Sequence, residues 1–303
     1  MIRPTNLLVH RPGLSLSGTA TTMAGTRILI AIFTLMMVAR EASAGILDRL
    51  REDVRRKETG QAGKLDNHAT GAEAHPHSDQ PNPWDSVLGP PVMAIITSPV
   101  WGPRQILQDQ GNLPGCFLDY PYQQGKPGWM VIDPVDPIGQ RQHAHTVRFQ
   151  YGEDFGDLMT LSSHFLIQGT HRWGLDAGFD YRREKLTPTS HDQLWTGTIN
   201  IVNRFAQSEN VQMYLGVGAN FLDDSDDTNW GVNVTYGGDW MVDGPWIMSL
   251  DLDVGRVGHA SLSHLRWTIG VAVRRYELYI GFDHYQAGGT ELDQVVTGIR
   301  LWF

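Results

Sequence analysis

Three short stretches of the chain carry residue types that could do chemistry. Asp223, Asp224, Asp226 and Asp227 crowd into the run DDSDD. Calcium and other hard cations favour such oxygen clusters, which makes these four candidate metal ligands. Their spacing is not that of an EF-hand loop, so a solvated acidic loop is the plainer reading. His259, Ser261, Ser263 and His264 stand together in HASLSH, and His191 and His284 lie in similar polar surroundings. A nucleophilic serine needs a base within hydrogen-bond reach and a third group to orient that base. Nearness in sequence supplies neither, so no catalytic residue is assigned. The third stretch is His75-Pro76-His77, whose imidazoles have no partner ligands at a useful spacing for a metal.

A broader pattern runs from His143 to Phe303. Trp173, Leu175, Ala177, Phe179 and Tyr181 alternate with Gly174, Asp176, Gly178, Asp180 and Arg182. Leu265, Trp267, Ile269, Val271 and Val273 alternate in the same way with Arg266, Thr268, Gly270 and Arg274. A period of two predicts β-strands with one apolar face. Ten such segments run over 143–151, 158–169, 173–183, 193–206, 211–222, 229–241, 246–257, 264–274, 276–286 and 292–303. Eight strands result if the first is not spanning, and twelve if two pieces of 91–132 join.

The polar face is rich in Gly, Asn, Thr and Asp, and short of the Lys and Glu that cover a solvated sheet. It also carries charges of both signs: Arg148, Asp176, Asp180, Arg182, Arg204, Asp239, Asp251, Asp253, Arg266, Arg274, Glu277, Asp283 and Arg300. Charges in a narrow interior must be paired or hydrated. The expectation is a salt-bridge network that fills a barrel, with a selective ion path as the alternative. Small barrels are filled by their own side chains, whereas open aqueous pores belong to much larger ones.

Aromatic residues mark the ends of the apolar stripes. Tyr151, Tyr181, Trp195, Phe221 and Trp230 lie near one rim, and Trp173, Phe205, Trp240, Trp246, Tyr276 and Phe303 near the other. Two aromatic girdles around an apolar band are the signature of a transmembrane β-barrel. A tilted strand needs roughly nine to eleven residues to cross the apolar layer, and the segments are long enough. Connections at 169–171, 207–210, 242–245 and near Arg275 are short. Those at 186–193, 223–228, 258–264 and 287–292 read as longer, outer loops. An even strand count then puts both ends of the barrel, and the N-terminal region with them, on the periplasmic side.

Composition agrees. The chain has 303 residues, 33 glycines, 10 tryptophans and only 19% charged residues. Its net charge of −9 argues against a nucleic-acid partner. Cys116 is the one cysteine, so no internal disulfide can form. Arg27, the apolar run at 28–38 and Ala42-Ser43-Ala44 read as a secretory signal peptide over residues 1–44. Residues ahead of Met23 make it long, and Met23 is an alternative start. Residues 45–85 read as a short amphipathic helix at 46–58, solvated, followed by a disordered polar linker. Residues 86–140 are rich in Pro and Gly and read as an irregular periplasmic segment. The barrel proper occupies 141–303.

The last strand sharpens this. Val295, Ile299, Leu301 and Phe303 alternate up to a terminal phenylalanine. With the signal peptide, this resembles small bacterial outer-membrane β-barrel proteins of the OmpA-like class, over residues 143–303. The resemblance implies outer-membrane lipid and the barrel-assembly machinery as partners, with Ile299, Leu301 and Phe303 as the assembly signal. It implies no cofactor. The expected function is a structural or surface-interaction role. The alternatives are a small solute channel, or a lipid- or peptide-modifying enzyme with a loop-borne Ser/His/Asp site. A fourth reading, a soluble periplasmic barrel holding a lipid, needs the apolar stripes to face inward.

Overall fold

The computed structural model describes residues 45–56, 100–111, 113–126, 128–132, 141–224, 226–242 and 244–303. The segments expected to be a signal peptide and a polar linker, and the His75/His77 pair, lie outside the described residues. The first element is a helix, α1 (Ile46–Arg55), and a second short helix covers residues 100–106. A small hairpin follows, β1 (Gly115–Phe117) paired with β2 (Met130–Ile132). Ten long strands complete the chain: β3 (His143–Glu153), β4 (Leu158–Gly169), β5 (Trp173–Thr187), β6 (Ser190–Gln207), β7 (Val211–Asp223), β8 (Thr228–Met241), β9 (Trp246–Val257), β10 (Ala260–Val273), β11 (Tyr276–Ala287) and β12 (Thr290–Trp302). They pair antiparallel, neighbour to neighbour, and β12 closes on β3 to form a ten-strand barrel. The closure runs from Val295 opposite Glu153 to Trp302 opposite Thr146, and Phe303 exchanges two 2.9 Å backbone hydrogen bonds with His145. The hairpin β1–β2 makes its own two-stranded sheet, so the twelve-strand option does not form.

The predicted long loops are mostly strand. Lys185 pairs with His191 and Thr187 with Ser190, which leaves a tight turn where 186–193 reads as a loop. β10 begins at Ala260 and absorbs most of GHASLSH. Polar composition misleads here because these strands extend past the apolar band. Both mouths are therefore rimmed by short turns.

The period of two sorts the side chains. Ile167, Leu175, Ile201, Val217, Val234 and Val254 face one another in register across six strands, and all are exposed on the outer wall. Arg148, Asp176, Arg182, Asp239, Arg266, Asp283 and Arg300 are buried inside. This is the reverse of a lipid-holding soluble barrel, and that fourth reading is set aside. Glycines on the inner face make room for tyrosines. A Cβ on Gly237 would come within 2.3 Å of the Tyr214 ring, and one on Gly298 within 2.4 Å of the Tyr279 hydroxyl. Only glycine lets those rings lie flat across the neighbouring strand.

Candidate functional site

The interior is layered along the barrel axis. The middle layer holds most of the charges expected there, in contact with opposite charges or amides. Arg148 reaches Asp251 at 2.8 Å, and the Tyr214 hydroxyl donates to the same carboxylate at 2.6 Å. His164 lies 2.6 Å from Asp176, which also accepts from Asn200. Asp283 is shared by His264 at 3.0 Å and Arg266 at 2.8 Å. Arg182 pairs with Asp180, donates to Thr196 and stacks over the Tyr285 ring, its guanidinium 4.3 Å from the centroid. Arg300 reaches Asp239 at 2.7 Å and Glu277 at 3.4 Å. Asp253 accepts from the Asn233 amide at 2.7 Å. Arg204 donates to Gln207, Gln168 and the Gly169 carbonyl. A cavity of about 30 Å³ remains among these groups, room for about one water. Arg274 stands apart from them. It is exposed in the β10–β11 turn, with φ of 57°, and does not enter the lumen.

At the mouth rimmed by turns 154–157, 188–189, 224–227, 258–259 and 288–289, the inner wall becomes apolar. Leu158, Leu194, Leu222, Val257, Leu262, Tyr285 and Leu292 form a ring, and Leu47, Leu50 and Val54 of α1 fill it with no exposed surface. Burial of each such side chain stabilises by roughly 1.5–3 kcal/mol. The helix is thus a stopper and not the solvated helix expected from its sequence. Glu184 accepts hydrogen bonds from the amides of Gly45, Ile46 and Leu47 at 2.7, 3.0 and 3.0 Å. A carboxylate there satisfies the free amides of the first turn and opposes the helix dipole. Arg51 pairs with Asp192, and Arg55 with Asp224. Asp53 accepts from Gly289 N and the Thr290 hydroxyl, and the His259 amide donates to the Val54 carbonyl.

The opposite mouth, where β3 starts and β12 ends, is closed by residues 113–132. Trp129 meets Trp302 edge-on, centroids 4.5 Å apart, beside Phe117, Met130, Met241 and Ile247. Asp109 holds this segment to the wall, accepting two 2.7 Å bonds from Arg172 and one of 3.0 Å from the Gln207 amide. Val100 and Leu107 pack outside the rim against Phe205 and Met213, at the bulge between Asn203 and Ala206 in β6.

The candidate metal ligands have structural partners. Asp224 accepts from the Asp226 and Asp227 amides at 2.8 and 2.9 Å as well as from Arg55. Asp223 accepts from the Thr228 hydroxyl, and Asp227 from the Thr228 amide. Among the described residues no three His, Cys, Asp or Glu side chains are grouped as metal ligands. The HASLSH residues separate by face: His264 points inward to Asp283, while Ser261 and Ser263 fall on the outer face. His284 is on the outer face too, opposite Leu265, and pairs with Asp293 at 2.6 Å. The leucine ring is the feature sequence reasoning missed. Its signal was present: Leu194, Leu222 and Leu292 break the polar stripe at the same end of their strands, and α1 offers a matching apolar face.

Acid should loosen α1 and residues 107–111. Burial alone raises the Asp224 carboxyl, but the two amides, Arg55 and Arg51 outweigh it and hold it below its ordinary 3.8. At Asp109 burial is again outweighed, by Arg172 and the Gly111 and Gln207 amides, so it too lies below 3.8. A depressed carboxyl gives stability that is whole above the unfolded value and is lost as pH falls through the folded one. Amide exchange, corrected for intrinsic rates, should show α1 and 107–111 protected from pH 7 to 5 and losing protection below about pH 4. Undiminished protection at pH 2 would refute these anchors.

The fold and this interior define a closed antiparallel barrel with an apolar outer wall and an ion-paired lumen. No protein-family model matches the chain, and no curated protein matches its sequence. Among solved structures the chain is similar to one titled "KdgM porin", at 8% identity and a TM-score of 0.25, over 52% of this chain and 99% of that one. The barrel assignment rests on strand pairing and not on that likeness.

Proposed function

We propose that this protein is an integral outer-membrane β-barrel with a structural or surface-interaction role, exported by its signal peptide and closed to bulk solute flow. The observation that carries the reading is the sorting of charge. Outward charges such as Glu153, Arg183, Lys185, Asp223, Arg256, Glu291 and Asp293 all lie toward the α1 mouth. From Leu265 to Val273 on β10, every outward position is apolar. At a typical barrel tilt this spans on the order of 20 Å, close to the apolar band of such proteins. Soluble monomers rarely expose so large a contiguous apolar surface.

A small solute channel is the second reading, favoured by stoppers that are separate from the wall. Conduction would need both stoppers and the ion-paired layer to open. Fractionation with a heat-modifiability gel tests the membrane reading, and a planar bilayer tests the closure. The expected result is a detergent-soluble, heat-modifiable band without steady conductance. A freely soluble protein with one mobility overturns the first statement, and stable single-channel steps overturn the second.

A further inference from the structure

Three outward rows of side chains cross β10, β11 and β12 next to one another on the outer wall. Trp267, Phe282 and Val295 form the first, which is wholly apolar. Leu265, His284 and Asp293 form the second, one step toward the α1 mouth. Ser263, Gln286 and Glu291 form the third, which is wholly polar. The edge of the apolar band thus runs through the second row. In the membrane reading above, on which this inference rests, that edge is the level where acyl chains meet headgroups and where lipid ester bonds lie. His284 Nδ1 stands 2.6 Å from an Asp293 carboxylate oxygen. A carboxylate accepts, so the imidazole proton sits on Nδ1 and Nε2 is left as the basic nitrogen. Among the described residues neither His284 Nε2 nor Ser263 Oγ has a hydrogen-bond partner. Ser263 is the diagonal neighbour of His284 across the β10–β11 pair, a spacing of about 7–8 Å that an imidazole and a hydroxyl can bridge. Gln286, directly opposite Ser263, brings a side-chain amide that lies 3.4 Å from Glu291.

We propose that Ser263, His284 and Asp293 form a hydrolase site on the lipid-facing wall, which cleaves carboxylic esters of membrane lipids. A serine nucleophile needs a base in reach and a third group to orient that base, and three adjacent strands supply them in that order. Ser263 Oγ attacks the ester carbonyl carbon, and its proton passes to His284 Nε2. The oxyanion accepts a hydrogen bond from the Gln286 amide. The bond from that carbon to the alcohol oxygen then breaks, and the leaving oxygen takes the proton from His284. Water attacks the acyl-serine next and gives its proton to His284. That proton returns to Ser263 Oγ as the fatty acid leaves. Asp293 touches no reacting atom; it is a positioning residue that holds the Nδ1 proton and balances the imidazolium. Leu265, Trp267 and Phe282 line the side on which the acyl chain lies. Bonds of the Ser–His kind are often long until substrate closes them.

Hydrolysis and active-serine labelling test the proposal together. The full chain, folded in detergent, is given mixed micelles of phosphatidylethanolamine, and released fatty acid is measured. A fluorophosphonate probe reports the nucleophile independently of the lipid chosen. Folding of every variant is checked by heat-modifiability. The expected result is fatty-acid release and labelling of one serine. Ser263→Ala should abolish both, and His284→Ala should slow hydrolysis by about 100-fold or more. Ser261→Ala, at the next outward serine on β10, should leave both unchanged. Asp293→Asn should lower kcat with KM unchanged, and Asp293→Glu should restore most of the loss. Hydrolysis or labelling that survives Ser263→Ala overturns the site, as does the absence of both from the folded wild type, and either result leaves the barrel reading standing. A freely soluble protein with one mobility overturns the barrel reading and the site together.

Discussion

Arg300→Ala should lower the unfolding stability of the barrel by about 3–5 kcal/mol, the usual cost of breaking a buried ion pair from one side. Arg300 is 2% exposed and donates to Asp239 and Ser249, with Glu277 beside it. Truncation leaves Asp239 and Glu277 buried near each other without their cation. In urea titrations of detergent-solubilised protein, read by the heat-modifiable band, the midpoint should fall by about 1 M or more. Replacing the whole group, with Arg300→Met, Asp239→Asn and Glu277→Gln together, should restore most of the loss, because no charge is then stranded. The comparison also separates the two functional readings. In a water-filled channel the same charges would be hydrated, and their pairing would be worth about 1 kcal/mol or less. An Arg300→Ala barrel with an unchanged midpoint would therefore count against a filled lumen.

The alternation that exposes Val217 and buries Arg300 was legible because strand geometry fixes it: neighbouring side chains must point to opposite faces. Strand number followed from the same rule, and the ten observed strands match the ten segments. What was not legible depended on the third dimension. Polar runs at 186–193 and 258–264 read as loops, since nothing local says that a strand continues past the membrane-sized band. The partner of α1 was hidden because its leucine ring is contributed by residues such as Leu158, Leu222 and Leu292, far apart in sequence and joined only by closure. Asp109 and Arg172 were missed for the same reason. Arg274 was assigned to the lumen by parity, but the chain turns at Arg274 and Arg275 and parity lapses there.

Val217→Arg should cost about 2–4 kcal/mol if the outer wall meets lipid, the penalty for a cation near the bilayer midplane of a barrel. Val217 lies midway along β7, is 63% exposed, and sits between Ile201 and Val234 on the adjoining strands. No described partner there could neutralise a guanidinium, and the nearest outward charge on its own strand is Asp223 at the α1 mouth. The magnitude decides the matter because water predicts a different number. At an exposed, water-facing position a substitution shifts stability by about 0.5 kcal/mol in either direction. The depth dependence supplies a second check. Phe221→Arg, further along the same outward stripe toward the mouth, should cost less than Val217→Arg, since the penalty falls to about 0–1 kcal/mol near the interface. Refolding into lipid vesicles across a urea series measures both. Equal, near-zero costs at the two positions would mean that the apolar wall faces something other than a bilayer.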